Sequence, residues 1–439
     1  MNKFKASFFA GFVQLVYRLT LWVAFPVALL VLAWRGLREP GYRARVSERF
    51  GFLPKTMPTG CIWLHTVSVG ESIAAAPLIE RLLLRYPERR VLVTTMTPTG
   101  SEQVLSRFGD RVEHCYAPYD FVFAVKRFLR HTKPCALVLM ETELWPNLIA
   151  RSKAQGLKVL LVNGRLSEKS AAGYQRFAWL VKAMFGSLDS VACQGDEYHQ
   201  RFVTAGVPAD RVHVVGNLKF DLNTSDDLAK KTAALSNAFN GPRGRVFMAA
   251  STHPGEDEQV LEAYTLLRAD FGNLICVLAP RHPPRATAIC ELFLAQGFRV
   301  TRSSELDSGG AAEHLDVLVV DQMGILMPLY ADCDVAFVGG SLIPRGGHNP
   351  IEPASVRVPV ITGPHNFNFT EVHQQLAAAG ALCVVTDAPT LATEVGAILK
   401  DATRQQLMGA AGYDVVATNR GATDRTLAII DEQLALLDG

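Results

Sequence analysis

The sequence predicts an α/β protein: two doubly wound, Rossmann-like domains facing each other across a cleft, with an N-terminal membrane-anchor helix. Three observations predict it. The 439 residues are too many for one ordinary core and suit two domains. Short apolar runs alternate with helical patterns in two series, separated by a polar stretch. An unbroken apolar run, Leu19 to Trp34, stands near the N-terminus.

That N-terminal segment, apolar from Phe8 to Trp34, is broken only by Gln14 and Arg18. Its unbroken part is slightly short for a full span. It reads either as a signal anchor that spans with Arg18 snorkelling or as a helix lying in the interface. No small-x-small site follows, which disfavours a cleaved signal peptide. Arg35, Arg38, Arg43, Arg45 and Arg49 come after the segment, and only Lys3 and Lys5 before it. Positive-inside logic puts the downstream domains on the cytoplasmic side, with the arginines against anionic lipid headgroups.

The first strand series is "CIWLHT" from Cys61, "RVLVTT" from Arg90, "CALVLM" from Cys135, "KVLLVN" from Lys158, "SVACQ" from Ser190 and "RVHVVG" from Arg211. Polarity rises over 221–243, which reads as the inter-domain connection. The second series is "RVFMAAS" from Arg245, "LICVLAP" from Leu274, "LDVLVVD" from Leu315, "DVAFVGG" from Asp334, "VPVITG" from Val358 and "ALCVVTD" from Ala381. The tail from Gln405 to Leu437 is helical in pattern. The domains are therefore 1–40 (anchor and basic flank), 41–220 (first domain), 221–243 (linker), 244–410 (second domain) and 411–439 (C-terminal helix), with six or seven strands in each half.

Composition narrows the function. A formal net charge of +2 argues against a dedicated nucleic-acid binder. The eight cysteines form no CxxC pair and read as buried thiols, not a zinc site or disulfide frame. No GxGxxG follows the first strand of either half and no GxxxxGK[ST] occurs, which disfavours a dinucleotide dehydrogenase or a P-loop enzyme. Nothing in the sequence points to a protein partner.

Ligands of doubly wound sheets sit at the carboxyl ends of strands, so the residues there are the candidates. Glu71 follows the first strand at a helix start, where the positive end of the helix should lower its pKa. It is either an ordinary helix-start acid or a general base for a substrate hydroxyl. Glu141 and Glu143 follow "CALVLM". They suit acceptor binding or support of a cationic, oxocarbenium-like transition state. Lys219 follows "RVHVVG" and is either solvated or within reach of a phosphate.

In the second half, Ser251, Thr252 and Gly255 can offer backbone N–H groups to an anion, with a helix starting near Pro254. Pro280, Arg281, His282 and Arg285 end the next strand, where cations suit a phosphate or carboxylate. The backbone of Met323, Gly324 and Ile325 could cradle a base. "VGGSLIPRGGHNPIEPAS" carries Gly339, Gly340, Gly346 and Gly347 around Arg345 and His348. Asn349 then reads as an N-cap, Pro350 as the first helical residue, Ile351 as the next and Glu352 as the third. Glu352 is either half of a capping box or a ligand for ribose hydroxyls. His348 is a phosphate donor or a loop residue.

Taken together, "HTVSVGE", "ETELWPNL", "VNGRLS", "GNLKFD", "PRH" and "GGSLIPRGGHNPIEPA" resemble the 3-deoxy-D-manno-octulosonic acid (Kdo) transferases of lipopolysaccharide synthesis. The resemblance implies a GT-B glycosyltransferase of the inner membrane. It would transfer Kdo from CMP-Kdo to the lipid A precursor, inverting the anomeric centre, with no metal and no cofactor beyond the donor substrate. It implies Glu71 as general base and Glu141 and Lys219 as transition-state stabilisers. Pro280, Arg281, Met323, Gly324, Ile325, Asn349, Pro350, Ile351 and Glu352 would bind CMP. The resemblance implies no metal-bridged diphosphate. The competing readings are a membrane-associated GT-B enzyme using a UDP-sugar, and a non-enzymatic two-lobed sugar-binding protein.

Overall fold

The computed structural model describes residues 2–38, 40–54, 57–176, 178–221, 232, 244–306 and 315–438. The connection expected over 221–243 lies outside the described residues, apart from Asp221 and Thr232. The chain divides into two compact units, Met1–Asp221 with Asn419–Gly439, and Leu222–Thr418.

The first unit is built on β1 (Ile62–His65), β2 (Val91–Thr95), β3 (Glu113–Tyr116), β4 (Ala136–Met140), β5 (Lys158–Gly164), β6 (Ser190–Cys193) and β7 (Val212–Val214). They form one parallel sheet in the order β3-β2-β1-β4-β5-β6-β7. β1, β2 and β4 are buried at every position because helices cover both faces. Alternate residues feed two cores: Trp63 packs with Phe128 and Leu148 on one face, Ile62 and Leu64 with Leu78 and Ile79 on the other.

The second unit holds β8 (Val246–Thr252), β9 (Ile275–Pro280), β10 (Val300–Arg302), β11 (Val317–Val319), β12 (Val335–Val338), β13 (Val360–Thr362) and β14 (Leu382–Val384). Its parallel order is β10-β11-β9-β8-β12-β13-β14. Two strands, β3 and β10, have no counterpart among the apolar runs read from sequence. Both are sheet edges, and their half-buried positions need no continuous apolar run.

In each sheet the chain crosses from one side of its first strand to the other. β1 lies between β2 and β4, and β8 between β9 and β12. The chain leaves such neighbours in opposite directions, which opens a crevice at their carboxyl ends.

The helical tail is split. One helix runs Ala402–Asn419 and a second Ala422–Asp438, around Gly421 at φ +79°. The second belongs to the first unit. Ala422, Ile430 and Leu434 enter its core, and Asp221 accepts hydrogen bonds from the Gly421 and Thr423 amides at 2.7 and 2.5 Å.

The N-terminal helix, α1 (Asn2–Arg38), contains a 22-residue window, Val16–Leu37, long and apolar enough to cross a membrane. Arg18 donates to Asn147 Oδ1 at 3.3 Å, and Tyr17 donates to Asp120 Oδ2 at 2.8 Å.

Candidate active-site residues

Glu71 opens α2 (Val69–Arg85), directly after β1. Ser68 caps that helix: its Oγ accepts from the Glu71 amide at 3.3 Å and donates to Glu71 Oε1 at 2.8 Å. Val67 N–H donates to Oε2 at 2.8 Å. The carboxyl group is thus folded back over its own turn, and the residue is 7% exposed. Burial pushes its pKa up to about 8, helped by Glu143 and Glu141 and opposed by the Val67 and Ser68 hydrogen bonds. The lowering expected from the helix start is therefore overturned. A helix terminus contributes about 1 kcal/mol, whereas burial can move a carboxyl group by several pKa units.

Glu141 and Asn163 stand at the tips of the neighbouring strands β4 and β5, with φ of +52° and +53°. Left-handed backbone at two non-glycine residues is strain held by the surroundings. Here the restraint is visible. Glu141 Oε2 accepts from Arg165 Nε at 2.8 Å, and Lys219 Nζ lies 3.3 Å from Oε1. Asn163 Oδ1 accepts from the Leu218 amide at 3.0 Å, and Asn217 Oδ1 caps the short turn from the Lys219 amide at 3.0 Å. Lys219 is therefore no solvated cation, and its ammonium faces a carboxylate where the sequence suggested a phosphate. Glu143 makes a different contact, accepting from Trp145 Nε1 at 3.0 Å. Burial raises its pKa. Arg165 was not singled out from sequence, although a cation just past the end of a strand was the available signal.

In the second unit, the candidates follow β11, β9, β8 and β12, which are consecutive neighbours in the sheet. Beside the anion site expected on the backbone after β8, a carboxylate of the protein itself gathers neighbouring N–H groups. Glu256 accepts from His253 N, Gly340 N, Ser341 N and Leu342 N at 3.0, 2.7, 3.0 and 3.0 Å. Glu256 was missed because a carboxylate near a helix start looks like any other. The helix begins at Asp257, later than expected. Gly255 N–H goes to Glu258 at 3.1 Å, and Ser251 sits in a bulge of β8 at φ +57°. Arg285 is taken by Asp257 and by Thr252 O.

Gly346 and Gly347 have φ of +92° and +72°, and a Cβ on either would strike Phe367, Asn368 or Asn366. Their close approach is to the 366–368 turn. The helix with Glu352 is short, Ile351–Ser355, with Pro350 at the cap position. Asn349 Oδ1 accepts from the Ile351 amide at 3.1 Å, and its Nδ2 donates to Glu352 Oε1 at 3.3 Å. The expected cap is shifted by one residue, and no capping box forms, because Glu352 takes an amide side chain and not a backbone N–H. Burial raises the Glu352 pKa to about 7, with Asn349 and Arg281 opposing. Pro280 ends β9 and Arg281 N donates to Thr252 O at 3.0 Å. Met323 is 75% exposed beside Gly324, at φ +86°, and Ile325 precedes the next helix. His348 Nε2 lies 2.9 Å from His253 Nε2.

Against known proteins, the sequence profile described as 3-deoxy-D-manno-octulosonic-acid transferase (kdotransferase) matches residues 44–222. A Haemophilus influenzae 3-deoxy-D-manno-octulosonic acid transferase is 38% identical over 421 residues, 95% of this chain and 98% of that protein. The chain belongs to the 3-deoxy-D-manno-octulosonic acid (Kdo) transferase family. A Bordetella pertussis Kdo transferase is 37% identical over 437 residues, 95% of this chain and 99% of that protein. As a Kdo transferase, the chain is a glycosyltransferase enzyme. The fold agrees: the Acinetobacter baumannii MurG structure aligns at a TM-score of 0.52 and 12% identity, over 85% of this chain and 99% of that one. The expected GT-B class of two Rossmann-like domains is thus met, and α1 is consistent with an anchor.

Proposed function

We propose that this Kdo transferase moves Kdo from CMP-Kdo to the lipid A precursor, lipid IVA, with inversion and without a metal ion. The observation that carries the reading is Glu71, a buried carboxyl group with a raised pKa beside a strained carboxylate–cation cluster. Glu71, once ionised, takes the proton of the acceptor hydroxyl as the hydroxyl oxygen attacks the anomeric carbon. The bond from that carbon to the phosphate oxygen breaks, and CMP leaves. Glu141, paired with Arg165 and Lys219, faces the oxocarbenium-like transition state and supports its positive charge.

In the second unit, Arg281 serves the phosphate and Glu352 the ribose hydroxyls. Met323, Gly324 and Ile325 frame the base, and Asn349, Pro350 and Ile351 hold Glu352 in place. CMP is a monophosphate leaving group, so cations and N–H donors suffice where a diphosphate would call for a bridging metal. α1 and the following arginines support placement on the cytoplasmic side of the inner membrane, against anionic lipid, where the acceptor is reached.

The test is mass spectrometry of product from CMP-Kdo and a tetraacylated lipid A precursor, with EDTA, for the wild type and Glu71→Gln. A gain of one or more Kdo units in the wild type alone supports donor, acceptor, base and metal independence together. Equal gain by Glu71→Gln removes Glu71 as the base. CMP binding without any gain sends the acceptor back to an open question.

A further inference from the structure

We propose that the hydrogen-bonded pair His253–His348 takes up one proton from solvent when the dianionic phosphate monoester of CMP binds beside it and the nearby Arg281 and Arg345. The inference rests on the reading of this unit as the nucleotide-binding one, and deepens it.

The pair is built, not incidental. The two Nε2 atoms are 2.9 Å apart and the rings nearly parallel, at 9° with centroids 5.1 Å apart. One Nε2 must therefore carry hydrogen and the other offer its lone pair. His253 is held by its amide on Glu256 at 3.0 Å, and His348 by its amide on Gly339 O at 3.1 Å. Gly340 has no room for a side chain, since a Cβ there would lie 2.9 Å from His348 Cδ2. The backbone of both loops thus sets the distance between the rings.

The charges facing the pair are cationic or ionisable to cations. His282, with its ring 6.0 Å from His253, and Arg281 and Arg285 come from the segment after β9. Arg345 comes from the loop of His348 itself. Arg285 is paired with Asp257, whereas Arg281 and Arg345 have no ion pair among the described residues. The Glu256 carboxylate, which holds the His253 amide, is occupied by four amides in all. Burial first, and these cations second, push His253 down to about 4 and His348 to about 3, so both rings are neutral at physiological pH.

A phosphate dianion reverses the balance. At about 4 Å and the effective dielectric of a partly exposed site, each negative charge raises an imidazole pKa by about three. The proton enters at the outward Nδ1 of the ring that donates through Nε2. That ring becomes imidazolium, keeps its bond to the partner, now charge-assisted, and gains a second N–H for the phosphate. CMP-Kdo is a phosphodiester with one phosphate charge, and CMP a monoester with two. The pair therefore charges as the leaving group does, with no proton passed to it. In the sense of linkage, the bound complex holds more protons than the free protein, so CMP binds more tightly as pH falls through the pKa of the bound pair, by up to roughly tenfold per pH unit.

The test is calorimetry of CMP with the full-length protein at about pH 7, in buffers of different ionisation enthalpy. The wild type should take up a large fraction of one proton. His253→Asn and His348→Asn should still bind CMP, roughly tenfold more weakly, with uptake near zero. In wild-type protein labelled with ¹⁵N-histidine, CMP should move one imidazole to imidazolium shifts, a readout that needs no variant. Binding without uptake, or uptake unchanged in both variants, overturns the inference and leaves the nucleotide site standing. No binding of CMP at all overturns the site and the inference together.

Discussion

The Lys219 ammonium stands 3.3 Å from Glu141 Oε1, and both side chains are less than a tenth exposed. Arg165 takes the other oxygen at 2.8 Å but is 41% exposed, so Lys219 is the buried half of the charge balance. Removing one partner of a buried pair leaves an uncompensated charge. Lys219→Met should lower unfolding stability by roughly 3 kcal/mol in urea titrations and reduce kcat strongly. The double variant Glu141→Gln/Lys219→Met should regain much of the stability and none of the turnover. If the double variant regains activity, the pair is a packing feature with no part in the chemistry.

Glu71 predicts a pH profile. A base must be ionised, so kcat/KM should fall below the Glu71 pKa of about 8 as pH drops. Glu71→Gln should abolish that limb and cut turnover by roughly 100-fold or more while CMP binding persists.

The same group sets a stability trend of opposite value. Its pKa is raised from 4.5 in the unfolded chain to about 8 in the fold, so the native state holds the extra proton between those values. Stability therefore falls as pH rises through that window. Above it, Glu71→Gln should be more stable than the wild type, by about 2 kcal/mol or more in thermal or urea unfolding. A less stable variant at high pH would show that the carboxylate is satisfied where it lies.

Glu352 accepts no backbone N–H as a capping box would require, so its truncation should not act through the helix end. Glu352→Ala should weaken CMP binding by roughly tenfold, as loss of hydrogen bonds to a charged acceptor does, with a stability change under about 1 kcal/mol. Calorimetry and thermal unfolding on one sample separate the two. A stability loss with unchanged CMP affinity would return Glu352 to a structural role.

α1 is tied to the first unit as well as being apolar. Asp120 accepts from Tyr17 and from the Asn147 and Leu148 amides, and Trp22 and Phe25 pack on Phe121 at 5.5 and 5.0 Å. Deleting residues 1–34 should release the protein from membranes at high salt in flotation assays. It should also lower thermal stability, because Phe121 loses its cover. Tyr17→Phe should keep membrane binding and cost about 1–2 kcal/mol, the worth of a hydrogen bond to a carboxylate. Full membrane retention after the deletion would place the anchor elsewhere.

Much of this was legible in the chain itself. The apolar runs that became β1, β4, β8 and β12 announced themselves because both faces of a parallel strand are buried, and the charged residues after them had no packing reason to be there. Glu71, Glu141, Lys219, Arg281 and Glu352 were singled out as candidates by their places after β1, β4, β7, β9 and β12. β3 and β10 were not, since edge strands carry weaker patterns. Arg165 and Glu256 were not either, since one looked like a loop cation and the other like a helix-start acid.

What the sequence by itself determined was the set of elements and the residues at their carboxyl ends. Both are local, set by burial of short segments and by turn chemistry. Only the tertiary structure decided that β1 lies beside β4 and β8 beside β12, because strand order is a long-range choice that no segment encodes alone. That order brings Glu71 under the influence of Glu141 and Glu143, and Glu256 onto the amides of Gly340, Ser341 and Leu342. It also reversed the expected pKa of Glu71, because desolvation depends on every neighbour packed around a group, whereas a helix start acts only over its own first turn.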